Sequence, residues 1–429
     1  MTIVAVFATL VALMLVGLPI AIAMALTGTL IMLLMGGPDM LVMLAQRMYS
    51  ATTSFPLLAI PFFILAGNLM NTGGMTHRIF NFTQLLVGRV RGGLAHVNVL
   101  GSMIFAGMSG SAVADAAGLG VIEINAMKKE GYSTRFAAAL TCASCTVGPI
   151  IPPSIPFVIY GNLAEVSVGA LFLGGIVPGL LMGGAMMAAI VLRAKRLDLP
   201  RSQSRPTPRE ALCVAADALP AIMTPVIIMG GILLGTFTPT EAAVIAALYA
   251  LALGFFYYRE LRLADLAEIL LTTGRQTAQV MFIIAGAGIF GWVLIQQQIP
   301  NQVIEQLLAV SDKSWVILLM VNVILLVLGM FIEGIAIMFM IVPIFVPLMA
   351  KIGVDPVHFG IVLTLNIMIG LLTPPVGLAL YVVSDISKVP MSELVVEMWP
   401  YMVALLVVLG LVTYVPEFTM FLPHLFGFG

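Results

Sequence analysis

Residues 146–161 read TVGPIIPPSIPFVIYG, and residues 369–385 read IGLLTPPVGLALYVVSD. The first stretch packs Pro149, Pro152, Pro153 and Pro156 into eight positions without a single charge. Proline inside a helix removes a hydrogen bond and clashes with the preceding turn, at about 3 kcal/mol or more. Both stretches therefore read as helices broken on purpose in apolar surroundings. The question is what repairs the freed backbone.

Those surroundings exclude water as the general answer. Of the 429 residues, 61% are hydrophobic and 9% are charged, and the mean hydropathy is +1.12. A soluble domain carries roughly a quarter of its residues as charges, so the chain reads as an all-α polytopic membrane protein. A net charge of −1 argues against nucleic acid as a partner. The N-terminal run MTIVAVFATLVALMLVGLPIAIAMALTG lacks a basic region and a small-residue cleavage site, so it is expected to be a retained membrane segment. Apolar runs follow one another to residue 416 and suggest about ten to twelve spans, with broken ones counted once. The long polar segment is 193–213, with Arg193, Lys195, Arg196, Arg201, Arg205 and Arg209 against Asp198 and Glu210. The positive-inside rule assigns it to the cytoplasm as a linker.

That linker lies near the midpoint and separates two related halves. Gly107-Met108, Met127, Lys129, Gly131, Gly148 and Pro152-Pro153 recur as Gly329-Met330, Met349, Lys351, Gly353, Gly370 and Pro374-Pro375, each 222 positions later. FILAG at 63–67 matches FIIAG at 282–286, and Pro19 matches Pro239, at offsets of 219 and 220. The expectation is two inverted repeats, 1–192 and 214–416, followed by a tail, 417–429. Each repeat carries a re-entrant hairpin (94–127 and 314–349) and a discontinuous helix (135–161 and 357–384).

Paired interrupted helices at matching positions point to secondary transporters. Backbone groups freed inside a membrane are costly unless they face protein, a water-filled cavity or a ligand. Carbonyls that point inward are hard oxygen ligands suited to desolvated Na+, and the half-helix N-termini beside them favour an anion. Forty-one residues upstream of each Gly-x3-Pro-Pro lie the candidate hairpin tips, FAGMSGSAVADAAG (105–118) and LGMFIEGIAIM (328–338). In isolation, Ser109-Gly110-Ser111 reads equally well as close helix packing through small residues; the repeat tilts it toward function.

Other polar residues take plainer readings. Asn68, Asn98, Asn366 and His96 suit interhelical hydrogen bonding. Glu241 and Asp115 are either proton carriers or, more in keeping with their context, capping or paired carboxylates. Cys142-x-x-Cys145 has redox and zinc spacing but sits in a small-residue helical stretch without a second pair, where cysteine packs as a small hydrophobe.

SGSAVADAAGLGVIEINAMKKEGYSTRFAAALTCASCTVGPIIPPSIPFVIYG, with FTPTEAA and LLTPPVGLALYV, resembles the large membrane subunit of tripartite ATP-independent periplasmic (TRAP) transporters, and the resemblance runs from GLPIAIAMAL to Trp399-Pro400. It implies a Na+-driven importer of organic acids, of the sialic acid or C4-dicarboxylate class, in the bacterial inner membrane. A transport domain would slide against a scaffold as an elevator. It also implies two partners: a small membrane subunit of about four spans, expected as a separate polypeptide, and a periplasmic substrate-binding protein. One Na+ site would use Ser109 and Ser111 with Gly148, Ile151 and Pro153. The related site keeps Gly370, Thr373 and Pro375, but Phe331 and Glu333 replace the serines, so only main-chain oxygens or the glutamate could serve. Candidate substrate contacts are Gly110, Ser111, Ser154, Glu333, Gly334 and Gly377.

Three other classes compete. Gly107-x-Ser109-Gly110 matches the G-x-S-G of rhomboid-type intramembrane proteases, but no histidine stands in a suitable small-residue helix. A channel also uses unwound carbonyls. A Na+/dicarboxylate transporter that needs no binding protein would share the architecture, and the family resemblance alone separates it.

Overall fold

The computed structural model describes residues 3–201 and 207–428, apart from the side chains of Ile3, Pro38, Ala106, Met108 and Ser109. Arg205 of the basic segment and the Ser109 hydroxyl therefore lie outside the described residues. The first half builds α1 (Ile3–Leu15), α2 (Ile20–Gly36), α3 (Leu41–Thr52), α4 (Ala59–Thr72), α5 (Met75–Val87), α6 (Gly93–Ser109), α7 (Ala112–Ala117), α8 (Leu119–Lys129), α9 (Thr134–Ser144), α10 (Ile155–Ala164) and α11 (Val168–Ala194). The second half builds α12 (Pro208–Leu233), α13 (Pro239–Ala252), α14 (Leu263–Gln296), α15 (Ile299–Val310), α16 (Ser314–Phe331), α17 (Gly334–Lys351), α18 (Pro356–Gly370), α19 (Leu378–Ser387), α20 (Met391–Tyr414) and α21 (Glu417–Leu425). No strand occurs among the described residues.

Eight helices, counted among the described residues, are long and apolar enough to cross a membrane. The ten to twelve spans expected from sequence counted shorter segments as well. The N-terminal apolar run, residues 2–35, read as one stretch in the sequence, splits at Gly17-Leu18-Pro19, where Gly17 takes φ +92°, into α1 and α2. Residues 417–425, expected as a tail, form α21. It packs on α11 and α18, and the Thr419 hydroxyl meets His358 Nδ1 at 2.7 Å.

Local chemistry fixes several helix starts. Thr207 and Thr238 each accept a bond from the backbone N–H three residues on, at Glu210 and Glu241. Those glutamates return a bond to the threonine N–H, at 2.7 and 2.8 Å. Both are capping boxes followed by proline in the first turn, where its missing N–H is not needed. Glu241 is thus a cap, one of the two plainer readings of its sequence context.

The basic segment is partly tied down. Arg193 belongs to the last turn of α11, pairs with Glu397 of α20 at 2.6 Å and lies over the rings of Tyr401 and Phe136. Arg91 pairs with Asp198, and the Pro200 carbonyl accepts from Gly92 N and the Tyr132 hydroxyl. Gly92 precedes α6 and Tyr132 follows α8, so the linker clasps both ends of one helical hairpin, α6 to α8. The second hairpin, α16 to α17, closes at its base where the Ser314 hydroxyl donates to the Ile352 carbonyl at 3.0 Å. Each of its arms has 18 residues and rises about 27 Å.

Candidate cation and substrate site at the paired helix breaks

The first break begins where α9 tightens into a 3-10 turn at Cys145–Val147 and helical bonding stops. Residues 148–154 are non-helical until Ser154 caps α10, its Oγ accepting from Phe157 N at 3.2 Å and donating to the Pro149 carbonyl at 2.5 Å. Among the described residues, no hydrogen-bond donor reaches the carbonyls of Gly148, Ile151, Pro152 or Pro153. Room for this irregular strip comes from α11, whose Gly175 and Gly179 lie against the Ile150 carbonyl and the Ile151 side chain.

The first hairpin tip is pressed onto that strip. Gly110 takes φ +60°, and a Cβ there would stand 2.6 Å from the Pro153 oxygen. A Cβ on Gly148 would lie 3.8 Å from the Ser111 carbonyl oxygen. Ser111 caps α7, accepting from Ala114 N at 3.4 Å. The fold thus brings together Gly110, Ser111, Gly148, Pro153 and Ser154, while the Ile151 side chain turns away to α11. Only the backbone of Ile151 is left to face the strip.

The second break repeats the contact in a different dress. A Cβ on Gly370 would stand 2.6 Å from Gly329 Cα, so two backbones meet where the tip of α16 crosses the end of α18. Val376 N donates to the Met330 carbonyl at 3.3 Å, and Gly334 lies against Ile367. Gly377, at φ +52°, starts α19. Glu333 caps α17, its Oε2 accepting from Ile335 N at 2.9 Å and Ala336 N at 3.3 Å. Thr373 turns inward on its own helix end: its N–H donates to the Gly370 carbonyl and its hydroxyl to the Ile369 carbonyl, both at 2.9 Å. The Phe331 side chain is 51% exposed, so that residue offers its main chain alone. Pro375, like Pro153, follows a cis prolyl bond.

The two halves interlock across this region. α10 packs on α17 and α18, and α19 packs on α7 and α9. The Tyr160 hydroxyl donates to the Pro356 carbonyl at 2.6 Å while its ring meets Phe359 edge-on. Each broken helix is therefore braced by elements of the other half, which keeps both strips facing inward.

Sequence reading missed one polar group nearby. Glu123 is buried in α8 and accepts from Asn98 Nδ2 at 2.6 Å; Asn98 also bonds Thr141 at 2.7 Å and accepts from Ser144 at 2.7 Å. The signal was weak, because IEINAMKKE reads as the polar face of a surface helix. Cys142 and Cys145 are both buried and free, and Cys145 Sγ donates to the Cys142 carbonyl. Asn366 joins Asn322 at 2.8 Å as interhelical glue.

Residues 7–418 match the family described as the tripartite ATP-independent periplasmic transporter, DctM component. The chain belongs to this family. It is 47% identical to the sialic acid TRAP transporter large permease protein SiaM of Vibrio cholerae, over 90% of each chain. It is 42% identical to the C4-dicarboxylate TRAP transporter large permease protein DctM of Pseudomonas aeruginosa, over 94% of each. Among solved structures it shares a fold with the YdaH transporter of Alcanivorax borkumensis, with a TM-score of 0.66 and 14% identity over 89% of this chain and 90% of that one. The chain is a multi-pass TRAP permease of the bacterial inner membrane and not an enzyme. The protease reading of Ser109 falls with that.

Proposed function

We propose that this permease couples Na+ entry to the import of an organic acid. The carrying observation is the strip 148–153, where among the described residues four carbonyls receive no donor and Gly148 and Pro153 lie against the first hairpin tip. One Na+ sits among Ser109, Ser111, Gly148, Ile151 and Pro153, and a second among the main-chain oxygens of Phe331, Gly370, Thr373 and Pro375. The acid lies between the tips, in reach of Gly110, Ser111, Ser154, Glu333, Gly334 and Gly377. The relatives named for sialic acid and for C4-dicarboxylates share a carboxylate as cargo, and the N-terminus of α10, capped by a neutral serine, suits that group. The 222-residue register supports two inverted repeats, and the interlocked hairpins and broken helices support one body that slides as an elevator. Membership of the family supports a small membrane subunit and a periplasmic binding protein as partners.

The test is reconstitution with both partners in liposomes, measuring uptake of sialic acid and of C4-dicarboxylates. Uptake is expected to need an inward Na+ gradient and the binding protein together. Uptake that ignores Na+ overturns the coupling. Uptake that proceeds equally without the binding protein overturns the tripartite assignment.

A further inference from the structure

The proposed sliding body meets its scaffold through a polar contact that the first half of the chain makes and the second half leaves open. The scaffold packs together from α2, α3, α4, α13 and α14, and the sliding body carries α10 and α19. Ser54, between α3 and α4, donates from its hydroxyl to Asn162 Oδ1 near the end of α10. α10 also packs on α4 and on the 3-10 turn Phe55–Leu58. Here the seam between the two bodies is shut.

The repeat assigns each partner a counterpart. FILAG and FIIAG match at an offset of 219, which carries Ser54 to Thr273 of α14. The broken helices match at 222, which carries Asn162 to Ser384 of α19. All four side chains can hydrogen-bond, yet in the second half each counterpart is taken elsewhere. Thr273 accepts from Asn68 Nδ2 at 2.9 Å, within the scaffold, and Ser384 donates to the Val389 carbonyl at 2.7 Å, within the sliding body. α19 packs on α7, α8, α9 and α20, all of the sliding body. A polar cavity of about 300 Å³ opens beside Thr273, lined by Asn68, Asn71, Asp265, Glu268 and Thr272 among others. Here the seam is open.

The two seams lie on opposite faces of the membrane. The basic linker joins the end of α11 to the start of α12 on the cytoplasmic side. The start of α11, the end of α10 just before it and the start of α13 therefore lie on the periplasmic side. The Thr240 hydroxyl at the start of α13 reaches the Phe55 carbonyl at 3.5 Å, which puts Ser54 there as well. The end of α19 directly precedes α20, where Glu397 pairs with Arg193 beside the linker, so the open seam is cytoplasmic.

Resting on the elevator reading above, we propose that Ser54–Asn162 is the latch of an inward-facing state and that the outward-facing state replaces it with Thr273–Ser384. Inverted repeats related by an axis in the membrane plane let one half take up the arrangement of the other, and that exchange turns an inward-facing state outward. Sliding the body toward the periplasm withdraws Asn162 from Ser54 and lifts Ser384 toward Thr273. Asn68, on losing Thr273, keeps its second bond, to Gln276 Oε1 at 3.0 Å. Each end of the movement thus keeps one polar contact across the seam, and neither state is favoured by default.

Paired cysteines and a bismethanethiosulfonate cross-linker of two-carbon span read the exchange, in permease reconstituted with its small subunit and binding protein. Cys213, exposed and free, is first changed to serine. Ser54→Cys with Asn162→Cys should cross-link and stop uptake, and reductant should restore it. Thr273→Cys with Ser384→Cys should cross-link as well, with the same reversible loss. Adding Ser54→Ala to this second pair removes the latch and should raise its cross-linking rate roughly two- to tenfold, the population shift that one net hydrogen bond supports. Uptake by each variant before cross-linking shows that it folds. Failure of either pair to cross-link, or a rate that Ser54→Ala leaves unchanged, overturns the exchange and leaves the elevator reading standing. A first pair cross-linked to completion with uptake intact overturns the elevator reading itself.

Discussion

Gly110→Ala tests the contact between the first hairpin tip and the first break. Two costs follow from the geometry. Gly110 sits at φ +60°, where a Cβ costs about 1–2 kcal/mol. The new methyl would also stand 2.6 Å from the Pro153 oxygen, a backbone atom that cannot rotate away. Forcing that separation out by nearly an ångström costs about 1–3 kcal/mol. Gly131→Ala isolates the first cost: it lies at φ +88°, in the same hairpin's base, with nothing within 4 Å of its Cβ. The difference between the variants is thus the tip-to-strip contact. If an ion draws that tip and strip together, the half-saturating Na+ concentration for uptake should rise roughly five- to hundredfold in Gly110→Ala, and little in Gly131→Ala. The assay is uptake in liposomes over a Na+ series, with melting curves to show that both variants fold. Equal Na+ dependence in the two variants would falsify the placement of a cation beneath this tip.

Gly370→Ala should destabilise by about 1–3 kcal/mol in thermal unfolding, since its Cβ would meet Gly329 Cα and carbonyl carbon at 2.6 and 2.8 Å. Adding Gly329→Ala should cost less than a second full increment, because the first change has already parted the backbones; strict additivity would contradict the contact. Glu241→Ala should lower the melting temperature slightly, as the loss of one half of a capping box, and leave the pH profile of uptake where it was. A moved profile would restore the proton-carrier reading. Glu333→Gln keeps a capping oxygen but drops the charge, and charge-assisted bonds are about twice as strong as neutral ones. A loss of about 1 kcal/mol in melting is expected, with the half-saturating Na+ rising more than the substrate KM. A change confined to KM would mean that the glutamate serves the substrate alone and not the cation beside it.

The breaks were legible because their signal is local. A missing proline N–H needs no knowledge of the rest of the chain, and the Gly-x3-Pro-Pro register repeats without gaps. The hairpins were legible for the same reason, from glycine at the tips and at their bases. What was hidden depends on partners far along the chain. Glu123 is explained by Asn98, 25 residues away on the opposite arm. The helix α21 is explained by the α11 and α18 surfaces it covers, and nothing in EFTMFLPHL announces them. The role of Thr373 was also out of reach. Its pattern matches Ile151 at the same register, yet it closes one more turn of hydrogen bonds onto Gly370 and Ile369.

Divergence at matched positions carries a mechanistic consequence. Ser111 and Glu333 occupy the same place in the repeat, 222 residues apart, and each caps the returning arm of its hairpin. Ser111 does so with a neutral hydroxyl, and among the described residues no donor reaches the Gly148, Ile151, Pro152 and Pro153 carbonyls of the strip below it. Glu333 does so with a carboxylate that takes two N–H groups, while the Gly370 carbonyl beneath already accepts from Thr373. A cation at the second tip would be neutralised on the spot by Glu333. A cation at the first would be solvated by dipoles only, and its charge would remain to be met. In an interior of low dielectric that residual charge favours an anion beside it. The α10 N-terminus, ending in Ser154, stands next to that tip with the same polarity. On the proposed reading, the substrate carboxylate would lie on the Ser111–Ser154 side.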